Sequence, residues 1–316
     1  MAHYPVLHFH ADKIRHRKLV FQLAVFCIIF FVFASQLSSL EASLGALKRA
    51  DLTIVAVAFM AVCGTFLAAA GTYSALSGFR HSYLSILKVQ IASGFANRLL
   101  PAGLGGMSLY TFYFRKNGYT LPNATALVAS SNILGIFANI LLISMVLIIN
   151  PQYLDQLQLP DTGPGMMGII GGILGTVAAL MYAFRKHTFV RYILDSISAV
   201  RVSLRINIRT LIAVMCNMSL TSLNVLALSL CVSSVSGTLP WTEALLVLSA
   251  GTLLGAVVPT PGGIGGVEAG LLAGMTAFGV PAAAGFASVL LYRGLTYWLP
   301  ILPGYIAFHL LRKRYA

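Results

Sequence analysis

The sequence predicts an all-α polytopic membrane protein, with about six full spans and two re-entrant hairpins broken by glycine and proline in an inverted repeat. Three observations lead there: an apolar composition, apolar runs of membrane-spanning length, and two Gly/Pro interruptions that look like copies of one another. Of 316 residues, 58% are hydrophobic and 9% charged, against roughly 25% charged in an ordinary soluble domain. Mean hydropathy is +0.85. A soluble catalytic domain has no room in such a chain.

A helix needs about 20 mostly apolar residues to cross the hydrocarbon. Runs of that kind cover 19–37, 52–76, 121–149, 166–184, 211–235 and 282–311. Two more, 84–114 and 239–278, are interrupted near their middles. The first run follows a basic stretch, Lys13 to Lys18, as a signal peptide would. It is longer than a usual signal core of roughly 7–15 residues and no small-residue cleavage site closes it, so it reads as a retained anchor. Residues 1–18 then form a basic cytoplasmic N-terminus, and 19–316 one transmembrane domain. Cys27, Cys63, Cys216 and Cys231 lie inside apolar runs with no CxxC partner, which suggests packing rather than zinc or disulfides. No metal or cofactor is expected.

The net charge of +13 is uneven. Basic residues gather at the N-terminus, at Arg80, at Arg115–Lys116, along 185–209 and at Arg312–Arg314, whereas 150–165 and 233–241 contain no Lys or Arg. Lys/Arg excess marks the cytoplasmic side, so both termini are expected inside. Lys48 and Arg49 run against this scheme, since they fall on the outer side. The basic residues flank apolar spans, which argues for contact with anionic headgroups and against nucleic acid. Residues 186–206 alternate basic with helically spaced apolar positions and read as an amphipathic helix on the inner surface.

Pro101-Ala-Gly-Leu-Gly-Gly-Met-Ser aligns with Pro261-Gly-Gly-Ile-Gly-Gly-Val-Glu at an offset of 160. Pro101/Pro261, Gly103/Gly263, Gly105/Gly265 and Gly106/Gly266 are identical, and Gly118 meets Gly279 one position out of step. The repeat halves are 52–149 and 207–311. Cytoplasmic charges on both sides of the first copy make it a hairpin entering from inside. The second must enter from outside for the chain to end inside. Inverted repeats with broken helices meeting at the midplane are a plan of secondary transporters. Unpaired backbone at membrane depth is tolerated only in protein or beside a watery cavity. A helix restarting after Gly106 or Gly266 would aim N–H groups into the break, favouring an anion. Glycines that merely let helices approach closely are the plainer alternative. On the functional reading, Leu at Gly105 or Gly265 would leave the protein inserted and block the break.

Charges inside apolar runs are costly and usually functional. Arg98 precedes the first break, Glu268 follows the second, and Arg293 sits midway along the last run. Glu268 and Arg293 are expected to face each other, as a structural ion pair or as part of a lipid site. The candidate site is therefore Arg98, Pro101, Gly103, Gly105, Gly106, Ser108, Pro261, Gly262, Gly263, Gly265, Gly266, Glu268 and Arg293.

The stretch Pro259-Thr-Pro-Gly-Gly-Ile-Gly-Gly-Val-Glu268, with Arg293 beyond it, resembles the lysylphosphatidylglycerol synthase transmembrane family of flippase-like membrane domains. Asn97-Arg-Leu-Leu-Pro101, Gly105-Gly106 and Arg115 resemble that family's first half. The chain departs from the pattern at Ser108, where an acidic residue is common, and at Ser131–Asn132, where a Glu-Arg pair is common. The resemblance implies a stand-alone bacterial member lacking an aminoacyl transferase domain, moving an anionic or aminoacylated lipid between leaflets. Its partner would be a phospholipid or a polyprenyl-phosphate-type lipid. The rival readings are a membrane enzyme acting on lipids and a scaffold subunit. The first is disfavoured because no HExxH helix, paired carboxylates or Ser/His/Asp set is present.

Overall fold

A computed structural model describes residues 50–100, 103–153, 207–235, 237–257, 260 and 262–315, together with 45, 47 and 48. The expected spans at 19–37 and 166–184, the N-terminus, the surface helix at 186–206, Cys27, Pro101 and Pro261 lie outside the described residues. Every regular element among the described residues is helical.

The first half opens with α1, Leu52–Leu76, whose Asp51 Oδ1 accepts from Thr53 and Ile54 N–H at 2.8 and 3.4 Å. An N-cap of this kind satisfies donors that a helix start leaves unpaired. The broken hairpin follows as α2, Tyr83–Leu99, and α3, Leu104–Lys116. Then comes α4, Leu121–Ile149, capped by Thr120 and started by a proline in its first turn. The second half repeats the order. It runs through α5, Ile208–Val235; α6, Trp241–Val257; α7, Gly266–Ala277; and α8, Ala282–Arg293. A π-helical turn, Gly294–Trp298, leads into α9, Ile301–Tyr315.

Helices α1, α4 and α5 are long and apolar enough to cross a membrane. The hairpin arms are not. With 17 residues α2 reaches about 25 Å, and with 13 residues α3 reaches about 20 Å, short of a hydrocarbon thickness of about 30 Å. The arms run antiparallel. In the first hairpin Tyr110 Oη donates to Gln90 Oε1 at 2.7 Å. In the second, backbone meets backbone, and a Cβ built on Gly270 would lie 2.7 Å from Gly251 Cα. Gly274 faces Val247 in the same register. Here the small residues do what close helix packing requires.

The two breaks share their turn geometry. Gly103 and Gly263 adopt φ of 71° and 68°. Met107 N–H donates to Gly103 O at 3.2 Å, as Val267 N–H does to Gly263 O at 3.0 Å. After the second arms, Gly118 (φ 92°) and Gly279 (φ 78°) reverse the chain in left-handed conformations open to glycine. In each turn the following residue bonds back five positions, Tyr119 to Phe114 O at 3.1 Å and Val280 to Met275 O at 3.0 Å. That is the helix-ending bond of a Schellman turn.

The equivalent helices α1 and α5 pack antiparallel along their length. Asp51 N–H bonds Ser234 O at 3.0 Å, Gly64 faces Leu223, and Gly71 faces Cys216. Asn217 Nδ2 donates to Thr72 Oγ1 at 3.2 Å. The main core gathers between α1, α5, α6, α7 and α8, with Leu228, Cys231, Leu245, Leu271 and Met275 fully buried. A second cluster, with Ile86, Tyr110 and Phe114, holds the first hairpin against α1 and α9.

Two boundaries differ from the sequence reading. The 282–311 run is interrupted at the π turn, because Pro300 has no N–H to continue the α-helical ladder. The first broken helix resumes at Leu104 rather than after Gly106. Gly103 already starts the bonding, and the Asn97 side chain supplies an acceptor for the Gly106 N–H at 2.6 Å.

Candidate functional site

Glu268 stands in the first turn of α7 and Arg293 closes α8, so the two arms of this turn bring the charges together. Arg293 Nε donates to Glu268 Oε1 at 2.7 Å, with 11% and 19% of the two side chains exposed. The other carboxylate oxygen accepts from Gly265 N–H at 2.7 Å, and Arg293 Nη2 donates to Gly262 O at 3.2 Å. The second break is thus knotted to the ion pair through its own glycine backbone. Gly262 and Gly265 take φ of 64° and 87°, a region an L side chain rarely adopts.

Arg98, at the end of α2, reaches the same place from the first half. Its Nε and Nη2 donate to Tyr297 O at 2.7 Å and Thr296 O at 2.9 Å, and Nη1 donates to Gly94 O. The Thr296 carbonyl is one that Pro300, lacking an N–H, leaves without its helical donor. Both guanidinium groups lie over the buried Tyr297 ring, Arg98 at 4.9 Å and Arg293 at 4.4 Å from its centre. Ring faces attract cations. Two cations and one carboxylate leave this cluster a net charge of +1.

The remaining candidates fall elsewhere. Gly103 and Gly106 line a cavity of about 600 Å³. Its wall is built by Thr72 and Tyr73 of α1, Gln90, Ser93 and Asn97 of α2, Tyr110 of α3, Ser131, Asn132 and Asn139 of α4, Asn217 and Thr221 of α5, and Thr252 of α6. Helices of both halves therefore contribute to this open-sided cavity. Ser131 and Asn132 both stand in this wall. Gly105 and Ser108 are on the other side of the hairpin, in an apolar groove of about 570 Å³ shared with Phe112, Phe308, Leu311 and Arg312. Ser108 turns its hydroxyl back to Leu104 O at 2.7 Å. Gly263 packs on Gly255, and Gly266 is buried at the start of α7.

Two expectations change. A Cβ on Gly105 would overlap the Ala96 carbonyl and lie 2.8 Å from the Asn97 amide nitrogen. That glycine is needed to close the hairpin, so a leucine there disrupts folding rather than only filling a break. At each helix start one N–H expected to face a ligand is also taken by a side chain instead. Asn97 takes that of Gly106, and Glu268 takes that of Gly265.

Sequence reasoning missed Tyr297 and the cavity wall. The available signal was the carboxamides Asn132, Asn139 and Asn217 inside otherwise apolar runs, where side-chain polarity has to be turned inward. No group of three His, Cys, Asp or Glu suited to a metal occurs among the described residues.

These features define a polytopic helical membrane protein with paired Gly-broken hairpins and a buried charge cluster at the second break. Residues 19–304 match the model of the lysylphosphatidylglycerol synthase TM region, and the chain belongs to that family. A search of curated proteins finds no match. Membership assigns the protein a membrane, lipid-related role.

Proposed function

We propose that the protein is a lipid transporter of flippase type, moving an anionic or aminoacylated lipid between leaflets. The lipid is a phospholipid or polyprenyl-phosphate type, the membrane is the bacterial inner membrane, and both termini are cytoplasmic. On this reading the chain performs no covalent chemistry and needs no cofactor.

One observation carries the proposal: a cavity of about 600 Å³ at the first break, with Asn, Gln, Ser and Thr side chains in its wall and helices of both halves around it, in an otherwise apolar bundle. Polar volume at membrane depth is expensive unless something hydrophilic passes through it. The antiparallel packing of the equivalent helices α1 and α5 supports an inverted repeat, since equivalents of opposite direction are related by an axis in the membrane plane. The two hairpins would then enter from opposite faces, and rocking of one half against the other would open the cavity to each leaflet in turn.

The test is leaflet exchange in vesicles containing the purified protein and phosphatidylglycerol labelled on an acyl chain. Addition of a membrane-impermeant reductant should bleach the label beyond the outer-leaflet fraction. If bleaching stops where it does in protein-free vesicles, the transport reading falls.

A further inference from the structure

The cavity at the first break is large, and none of the described residues on its wall carries a formal charge. Its roughly 600 Å³ would hold about twenty waters at about 30 Å³ each, far beyond the isolated bridging waters of a protein interior. Every described residue lining it is apolar, a glycine, a hydroxyl or a carboxamide. Arg98, Glu268 and Arg293, the charges nearest the breaks, are not among them.

That chemistry selects. A phosphate only accepts hydrogen bonds and is matched by cations or rows of donors. An ammonium only donates, and is matched by carboxylates. A carboxamide does both, through a carbonyl oxygen and two N–H donors. So does a ligand hydroxyl. Four carboxamides on the wall have capacity to spare. Asn132 makes no hydrogen bond among the described residues. Gln90, Asn97 and Asn139 use only their oxygens, toward Tyr110 Oη at 2.7 Å, Gly106 N–H at 2.6 Å and Ser249 Oγ at 3.4 Å. The second lone pair of each oxygen and the amide N–H groups, spread over α2 and α4, remain for whatever fills the space, so the wall offers acceptors beside donors.

We infer that this cavity binds the uncharged, polyhydroxylated part of a lipid headgroup, such as a glycerol, inositol or sugar unit, with the phosphate held outside the carboxamide wall. The inference deepens the transport function proposed above and rests on it for the direction in which the headgroup travels. The stacked pair Tyr73 and Tyr110, with ring centres 3.6 Å apart, stiffens one side of the wall. A fixed wall suits a ligand recognised by several hydroxyls at set spacings.

The experiment uses the full-length protein in detergent, equilibrated with an equimolar mixture of four lipids sharing the same acyl chains. These are phosphatidic acid, phosphatidylserine, phosphatidylglycerol and phosphatidylinositol, and retained lipid is read by native mass spectrometry. The same four are followed by leaflet exchange in vesicles. Wild type should retain the two polyol lipids over phosphatidic acid by about tenfold, the effect of one to three hydrogen bonds. Asn132→Leu and the milder Asn132→Ala should each lower that preference several-fold and leave phosphatidic acid retention unchanged. The Asn132 side chain supports no other described residue through a hydrogen bond, so Asn132→Ala decides the matter if the leucine variant does not fold. Equal retention of all four lipids, or an unchanged preference in Asn132→Ala, overturns the inference. A preference in retention without exchange of any lipid leaves the cavity assignment standing and removes the transport reading. Exchange without any headgroup preference does the reverse.

Discussion

Replacing Glu268 by glutamine should cost several kcal/mol of stability, and the loss should be repaired by a second change at Arg293. The pair meets at 2.7 Å with little exposure on either side. At that separation an effective dielectric of about 20 gives a Coulomb attraction of about 6 kcal/mol. Removing one partner of such a pair commonly costs about 3–5 kcal/mol, because a buried charge is left alone. The glutamine oxygen can still accept from Gly265 N–H, but its amide nitrogen then faces Arg293 Nε–H, donor against donor. A loss of that size should lower the melting midpoint by roughly 5–10 °C, measured by fluorescence-detected size exclusion after heating detergent-solubilised protein. Glu268→Gln/Arg293→Gln removes both charges and should regain most of the midpoint. We expect that double variant to fold and yet fail in leaflet exchange, since the cluster then lacks its cation at the second break. A melting midpoint in Glu268→Gln within about 1 °C of wild type would show that the pair is not energetically coupled. Exchange at the wild-type rate by the folded double variant would make the pair structural only.

Gly105→Leu should fail to yield monodisperse protein, because the Ala96 backbone occupies the space its Cβ needs. Gly118→Ala and Gly279→Ala, with open space around each, should cost only about 1–2 kcal/mol for a left-handed alanine; equal yields for all three would refute the packing argument. In a cysteine-free background, Gly118→Cys and Thr238→Cys should label from opposite faces of the membrane, and labelling from one face would exclude an inverted repeat. Outside the spans, burial and the neighbouring Arg80 lower the His81 pKa below 6.5. Below that pH the unfolded chain binds the proton more readily than the folded one, so His81 favours folding above it and loses that contribution as pH falls. The melting midpoint should therefore drop between about pH 7.5 and 5, and drop less in His81→Gln; an identical drop in both would show that another group is responsible.

Much of the helical skeleton could be read from hydropathy alone. The runs at 52–76 and 121–149 coincide with α1 and α4, because apolar length is what a spanning helix demands. At α5 the helix begins three residues earlier than the run at 211, where Asn207 Oδ1 accepts from Arg209 and Thr210 N–H at 2.9 and 3.0 Å. Capping by a polar residue is invisible to a hydropathy window. The Glu268–Arg293 contact was legible because charges are rare in this chain and each stood alone in an apolar run. Tyr297 was not, since a lone aromatic in a span carries no sign that two guanidinium groups share it. The cavity was hidden for a different reason. Its wall draws its Asn, Gln, Ser and Thr residues from five helices, one to three from each, and no linear stretch holds enough of them to stand out. The glycines illustrate the limit of motif reading. Gly103, Gly105 and Gly106 are nearly consecutive, yet helical rotation sends the first and last toward the cavity and the middle one against α2.

Arg98 has a mechanical consequence. Its fork ties the tip of the first hairpin to two carbonyls at the kink of the last helix, some 200 residues away in sequence. Pulling those elements apart would strand a guanidinium and two carbonyls in a medium with no water to replace their bonds, at several kcal/mol for each group. The tip of α2 and the top of α9 are therefore bolted into one lever, although they lie at opposite ends of the described chain. On the transport reading, relative motion would be taken up where helices meet through small side chains, and the middle of the seam between α1 and α5, with Gly64 and Gly71 on one side, is such a place.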